Sequence, residues 1–323
     1  MKKTLNGAVP GILKKGQISR EAARGFLDAP LDDLLREADR LRHQFYGSRV
    51  DLCAIVNARS GLCGEDCKFC AQSAHHQTGV TVYPMLGREE ILARARQAQK
   101  VGARHFGVVT SGRRLSVDEV EIVCETIHAL REIDGLIPCA SLGELDTEMA
   151  RVLKDAGLSR YHHNLECAER FFPRVCTTHG WRDRLRTVGA AKAAGLEVCA
   201  GGVFGLGETW EDRVELALAL RDLEVDSVPL NFLTPVRGTP CEFLPPLAAE
   251  DALRIIALFR VIVPRAEIRI AGGRELILGE MQRRIFLAGA NGMMIGDYLT
   301  TKGRKPEDDL RMIEQLGLQI EKG

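Results

Sequence analysis

The sequence has no excess of charge: 44 Lys and Arg residues stand against 44 Asp and Glu residues, a formal net charge of zero. That removes any electrostatic reason to expect nucleic acid or an anionic membrane as a partner. A long apolar run is also missing. Nothing approaches the ~18 unbroken apolar residues of a membrane span. The opening segment MKKTLNGAVPGILKKGQ begins with lysines but never develops the apolar core of a signal peptide. The ten cysteines are not a disulfide framework either, because such frameworks belong to short secreted chains and this one has 323 residues. The expectation is a cytoplasmic protein whose thiols are reduced or metal-bound. Hydrophobic residues at 45% and charged residues at 27% are ordinary for a globular domain.

Against that plain background stands one triplet. Cys63, Cys67 and Cys70 form a Cys-x3-Cys-x2-Cys nest within CGEDCKFC. Soft thiolates favour iron–sulfur clusters, zinc or Cu(I). A closed structural site wants four protein ligands, whereas a cubane held by three leaves one iron open to a substrate or cofactor. The competing reading is a zinc knuckle completed by His75 or His76, which would make the chain a non-catalytic, partner-binding protein.

Eight short apolar runs alternate with helix-period stretches: Val50–Asn57, His105–Thr110, Leu136–Ser141, Arg160–Asn164, Glu197–Val203, Ser227–Phe232, Glu267–Ala271 and Gly292–Ile295. Ser116-x-x-Glu119 has the form of a capping box, and Thr209 precedes an acidic first turn. Gly102, Gly157, Gly195 and Gly289 each fall where a helix should end before the next strand. Eight strand–helix units predict a closed (β/α)8 TIM-type barrel over 49–310, with a doubly wound sheet as the alternative. Two amphipathic helices in a 1–48 extension precede it and a 311–323 tail follows. Reactive groups should then sit at strand C-terminal ends, and the triplet lies just after the first strand.

Further clusters close later strands: YHHNLE, GLGET, DSVPLNFLTPVRGTP, IRIAGGRE and GDYLTT. Together with SGLCGEDCKFCAQS, this ordered set resembles the biotin synthase family of radical S-adenosylmethionine (SAM) enzymes from about Phe45 to Leu310. The resemblance implies a homodimeric barrel that inserts sulfur into dethiobiotin. It also implies a flavodoxin- or ferredoxin-type electron donor. Cys63, Cys67 and Cys70 would hold a [4Fe-4S] cluster. Arg184 would meet the SAM carboxylate and Glu166 its ribose, with the Gly205 and Gly207 backbone beside the adenine. Asn164 and Asn231 would lie between SAM and the ureido ring, with Thr300 and Thr301 at the substrate end. The resemblance names no side chain as the reacting group. Reduction of SAM to methionine and a 5′-deoxyadenosyl radical makes hydrogen abstraction from unactivated carbon accessible, and the protein supplies aim and exclusion of water. Hydrogenase-cofactor maturases and methylornithine-forming enzymes resemble the chain around the triplet. A close copy of SVPLNFLTPVRGTP and IRIAGGRE is not expected in them.

The chain departs from the family at the auxiliary cluster. Relatives carry a [2Fe-2S] cluster on three strand cysteines and an arginine. Cys139, Cys199 and Arg269 match three of these, but Gly107 stands where the second-strand cysteine belongs. Cys53, on the neighbouring first strand, is the expected replacement, with Cys176 and Cys241 as loop alternatives. A four-iron auxiliary cluster becomes an option. Cys124 and Cys167 read as structural.

Overall fold

The computed structural model describes residues 18–321; the lysine-rich opening segment, 1–17, lies outside them. Two helices come first, α1 (Arg20–Gly25) and α2 (Leu31–Tyr46). Ser19 caps α1 by accepting from the Ala22 amide at 3.1 Å. Leu34, Leu35, Ala38 and Leu41 form the buried stripe of α2, which packs against α8 (Ala249–Ile262).

The strands are β1 (Arg49–Arg59), β2 (His105–Thr110), β3 (Ile137–Ser141), β4 (Arg160–His162), β5 (Glu197–Cys199), β6 (Gly202–Phe204), β7 (Ser227–Phe232), β8 (Glu267–Ile270) and β9 (Gly292–Met294). All pairings are parallel, and β9 pairs back onto β1, so the barrel closes. Each expected strand is present, and the fifth is split into β5 and β6. The split follows from Gly201, where a Cβ would lie 1.9 Å from the Pro229 carbonyl oxygen. The backbone makes that close approach and leaves the ladder for one step.

Between the strands run α3 (Arg88–Lys100), α4 (Val117–Leu130), α5 (Thr147–Asp155), α6 (Trp181–Ala193), α7 (Trp210–Asp222), α8 and the short α9 (Arg274–Leu278). Ser116 and Thr209 both make reciprocal capping boxes, with Glu119 and Asp212. All four helix-ending glycines have positive φ, between +77° and +100°. Helix α10 (Pro306–Gln315) runs through residue 310, where the sequence places the end of the barrel. Strand β10 (Gln319–Ile320) then pairs with Arg49 and Val50 at the start of β1. No helix among the described residues is long and apolar enough to cross a membrane.

Strand alternation divides the interior. Leu52, Ala54, Val56 and Ala58 of β1 join the large apolar layer between barrel and helices. Asp51, Cys53, Ile55 and Asn57 therefore point into the barrel.

Candidate active site

At the C-terminal end of the barrel the strands open into a cavity of about 420 Å³. The long β1–α3 connection brings the triplet to its rim. Gly61 starts that loop at φ +78°, where a Cβ would lie 2.6 Å from Val82 Cγ2. Gln72 ties the loop to the barrel by accepting from Asn57 Nδ2 at 3.1 Å and from the Gly61 amide at 3.2 Å. Cys63 pairs with Ser73, and the Cys70 amide donates to the Cys67 carbonyl at 2.9 Å. All three cysteines line the cavity. Burial raises Cys70 to about 11, so its thiolate needs a positive centre such as a bound metal to form.

The turn after β4 contributes Asn164 and Glu166 to the same cavity, and α6 contributes Arg184, which lies beside Cys67. Glu166 takes a left-handed conformation, φ +68°, because both its own amide and that of Leu165 donate to the Gly201 carbonyl. Arg184 Nη1 lies 3.4 Å from Glu166 Oε1 and donates to the Asn164 carbonyl at 2.9 Å. Burial raises the Glu166 carboxyl above its usual range, against the pull of Arg184. Asn231, on β7, accepts from the Gly272 amide at 3.1 Å and donates to the Gly202 carbonyl at 3.3 Å. Thr300 and Thr301 complete the far wall. Gly205 and Gly207 are not brought to this cavity. Their positive φ values (+96° and +93°) shape a turn whose amides at Gly205 and Leu206 donate to Glu208. The glycines serve that local turn.

A network not foreseen from the sequence lies behind Cys67. The Cys67 Sγ, Cys176 Sγ and a His179 ring nitrogen lie within 4.8 Å of one another. Cys176 Sγ is 3.1 Å from Asp66 Oδ1, which also accepts from the Thr177 amide at 2.8 Å. His179 bonds Glu65 through Nδ1 and accepts from Arg184 Nε at 3.1 Å. Cys176 is drawn down to about 4, chiefly by its contact with Cys67, which is pushed up in turn. The Cys-x2-His spacing of VCTTH was the signal available in the sequence. His75 and His76 bond backbone instead, to the Gly64 and Cys67 carbonyls at 3.0 and 3.1 Å. That arrangement does not favour the zinc knuckle.

Beneath the cavity floor lie Cys53, Cys139, Cys199 and Arg269, each at most 2% exposed. Cys199 is in register with Ser227, and Cys139 is in register with both Gly107 and Arg160. Burial raises all three thiols, Cys199 to about 11, and Arg160 and Arg269 partly offset the effect. Arg269 Nη2 donates to Asp51 Oδ1 at 2.6 Å and to Glu267 Oε2 at 2.9 Å. Asp51 stays well below the usual carboxylate range despite its burial, because Arg269 and His105 flank it. Arg269 Nη1 and Ser227 Oγ are buried without a partner. Three buried thiols beside an orphaned guanidinium nitrogen fit an iron–sulfur cluster better than an apolar core, where such a nitrogen is costly. Cys241 lies apart, packed with Val203 and Leu233, and Cys167 packs with Cys67, Cys176 and Phe172.

The comparisons with known proteins agree with this geometry. Residues 59–220 match the radical SAM superfamily model, and 229–319 match the biotin and thiamin synthesis associated domain. A biotin synthase of Trichlorobacter lovleyi is 52% identical over 96% of this chain and 95% of its own. One from Syntrophotalea carbinolica is 51% identical over 97% of both. Among solved structures, a methylornithine synthase superposes with a TM-score of 0.83 at 19% identity, covering 97% of each chain. An [FeFe]-hydrogenase maturase from Carboxydothermus hydrogenoformans superposes at 0.81 with 16% identity, covering 99% of this chain and 79% of its own. The two solved structures share the fold; the activity follows from the sequence relatives. The chain belongs to the biotin synthase family of radical SAM enzymes, which use SAM, a [4Fe-4S] cluster and an auxiliary iron–sulfur cluster.

Proposed function

We propose that this enzyme converts dethiobiotin to biotin in the cytoplasm with Cys63, Cys67 and Cys70 as ligands of the [4Fe-4S] cluster. One observation carries the assignment: a single cavity is lined by the triplet together with Asn164, Glu166, Arg184 and Asn231. The buried thiols lie directly beneath. When bound, the first cluster supplies the electron that splits SAM and the auxiliary cluster supplies the sulfur.

The chain's own residues set the aim. Arg184, a guanidinium facing the cavity, suits a carboxylate, and Glu166 accepts from vicinal hydroxyls. Asn164 and Asn231 have both donor and acceptor atoms, which suits an uncharged urea ring. Thr300 and Thr301 offer hydroxyls to the far end of the substrate. Cys53, Cys139 and Cys199 bind the auxiliary cluster, with Arg269 as a ligand or a close donor. Family membership supports a homodimer reduced by a flavodoxin- or ferredoxin-type protein. Complementation of a biotin-auxotrophic bacterium, with anaerobic turnover of dethiobiotin, tests the activity. No biotin from protein with both clusters assembled and a working reductant would sink it.

A further inference from the structure

The auxiliary nest has a gap at Gly107, and one side chain stands beside it. Gly107 faces the barrel interior between Ile55 and Cys139, its partners in register. A Cβ built there would lie 3.1 Å from Ile55 Cγ2 and 3.8 Å from His162 Cε1. The His162 ring thus borders the space that a cysteine at 107 would have filled.

His162 also belongs to the nest by register. It is the partner of Cys199, and Arg160, two residues earlier on the same strand, is the partner of Cys139. Tyr161 between them points outward into the apolar layer, so Arg160 and His162 both point inward. His162 lines the floor of the cavity as well. Its neighbours in the chain are tied down, with Tyr161 Oη donating to the Gly143 carbonyl at 2.7 Å. The His163 amide donates to the Cys199 carbonyl at 3.0 Å, so the backbone is held on both sides of His162. Imidazole is an iron ligand in its own right and replaces thiolate in some two-iron clusters.

We propose that His162 is a ligand of the auxiliary iron–sulfur cluster, completing through an imidazole nitrogen the coordination that Gly107 cannot give. The nest then offers Cys53, Cys139, Cys199 and His162, with Arg269 Nη1 directed at the cluster. The proposal rests on the cysteine assignment above, and the two fail separately.

The test uses full-length, anaerobically reconstituted protein grown with ring-15N histidine. Electron–nuclear double resonance on the reduced auxiliary cluster should show a strongly coupled histidine nitrogen. His162→Gln should abolish that coupling and lower auxiliary iron severalfold, while the cluster whose signal responds to SAM is retained. His162→Ala combined with Gly107→Cys puts a thiol in the gap and should restore the iron without the nitrogen coupling. No histidine coupling in the unsubstituted protein, or one that survives His162→Gln, overturns the proposal. If Cys139→Ala and Cys199→Ala keep full auxiliary iron, the cysteine nest itself is wrong, whatever His162 does.

Discussion

Replacing Asp309 with alanine should loosen the substrate end of the cavity through a buried charge. Arg274 and Asp309 are both fully buried, at 0% exposure. Arg274 Nη2 donates to Asp309 Oδ2 at 2.5 Å and Nη1 to Oδ1 at 3.1 Å, with Gln282 Oε1 taking a further bond at 2.6 Å. Arg274 Nε reaches the Tyr298 hydroxyl at 3.3 Å, and that hydroxyl donates to Glu275 at 2.8 Å. The Tyr298 amide donates to the Thr301 carbonyl at 3.0 Å, so the loop bearing Thr300 and Thr301 hangs on this network. Asp309→Ala removes the fully buried partner of this guanidinium, leaving Glu275 at 3.5 Å as its counter-charge, and should cost about 3 kcal/mol. Desolvation of both charges offsets much of the attraction within the intact pair. The double change Arg274→Met with Asp309→Leu should therefore recover most of the loss. Chemical denaturation measures both. KM for dethiobiotin should rise in Asp309→Ala more than KM for SAM. A cost below about 1 kcal/mol, or a double variant no better than the single, would refute the reasoning.

Cys53→Ala should lose auxiliary iron and biotin formation, whereas Cys241→Ala should keep both; the reverse outcome would show that the wrong cysteine was chosen. Glu166→Gln should lower SAM affinity roughly tenfold, the worth of about 1.4 kcal/mol. Because burial raises the Glu166 pKa, its ionised form costs stability above the ordinary value of about 4.3, and that cost vanishes below it. The SAM-free parent should therefore gain stability as pH falls through the Glu166 pKa, a gain that Glu166→Gln should lack. Gly273→Ala places a Cβ 1.9 Å from the Phe232 carbonyl oxygen at φ +83°. It should cost roughly 1–3 kcal/mol in backbone strain, visible in thermal melts and in lower turnover. Ser116→Ala, which removes a capping box whose residues do not line the cavity, should cost about 1 kcal/mol and leave turnover unchanged.

The barrel was legible because its elements carry local signals. Short apolar runs marked the strands, and four glycines required at positive φ ended the helices that precede strands. The β5/β6 break was not legible, because it comes from the Gly201 backbone meeting Pro229 on another strand. The triplet could be read from spacing alone, since its ligands share one loop. Cys176, His179, Glu65 and Asp66 were not read as a group, because their contacts join segments about 110 residues apart. Gly205 and Gly207 show the opposite limit: a glycine's freedom shows in sequence, but not whether a ligand or the chain's own turn uses it. His162 was visible as a polar strand end. Its role beside Gly107 needed the register.

The floor of the barrel has a consequence for supply. Below the cysteine nest, Asp51, His105, Arg160 and Arg269 are each at most 4% exposed and are locked by ion pairs and by the His105–Asp51 hydrogen bond, with Glu267 joining the two arginines. This charged plug shuts the lower end, while the cavity proposed to hold SAM and substrate opens above. Iron and sulfide must then enter by the same door as the reactants, so refilling waits for the products to leave. A chain depleted of its auxiliary cluster should regain iron more slowly when saturated with SAM and dethiobiotin than when empty. Equal refilling rates would point to another route in.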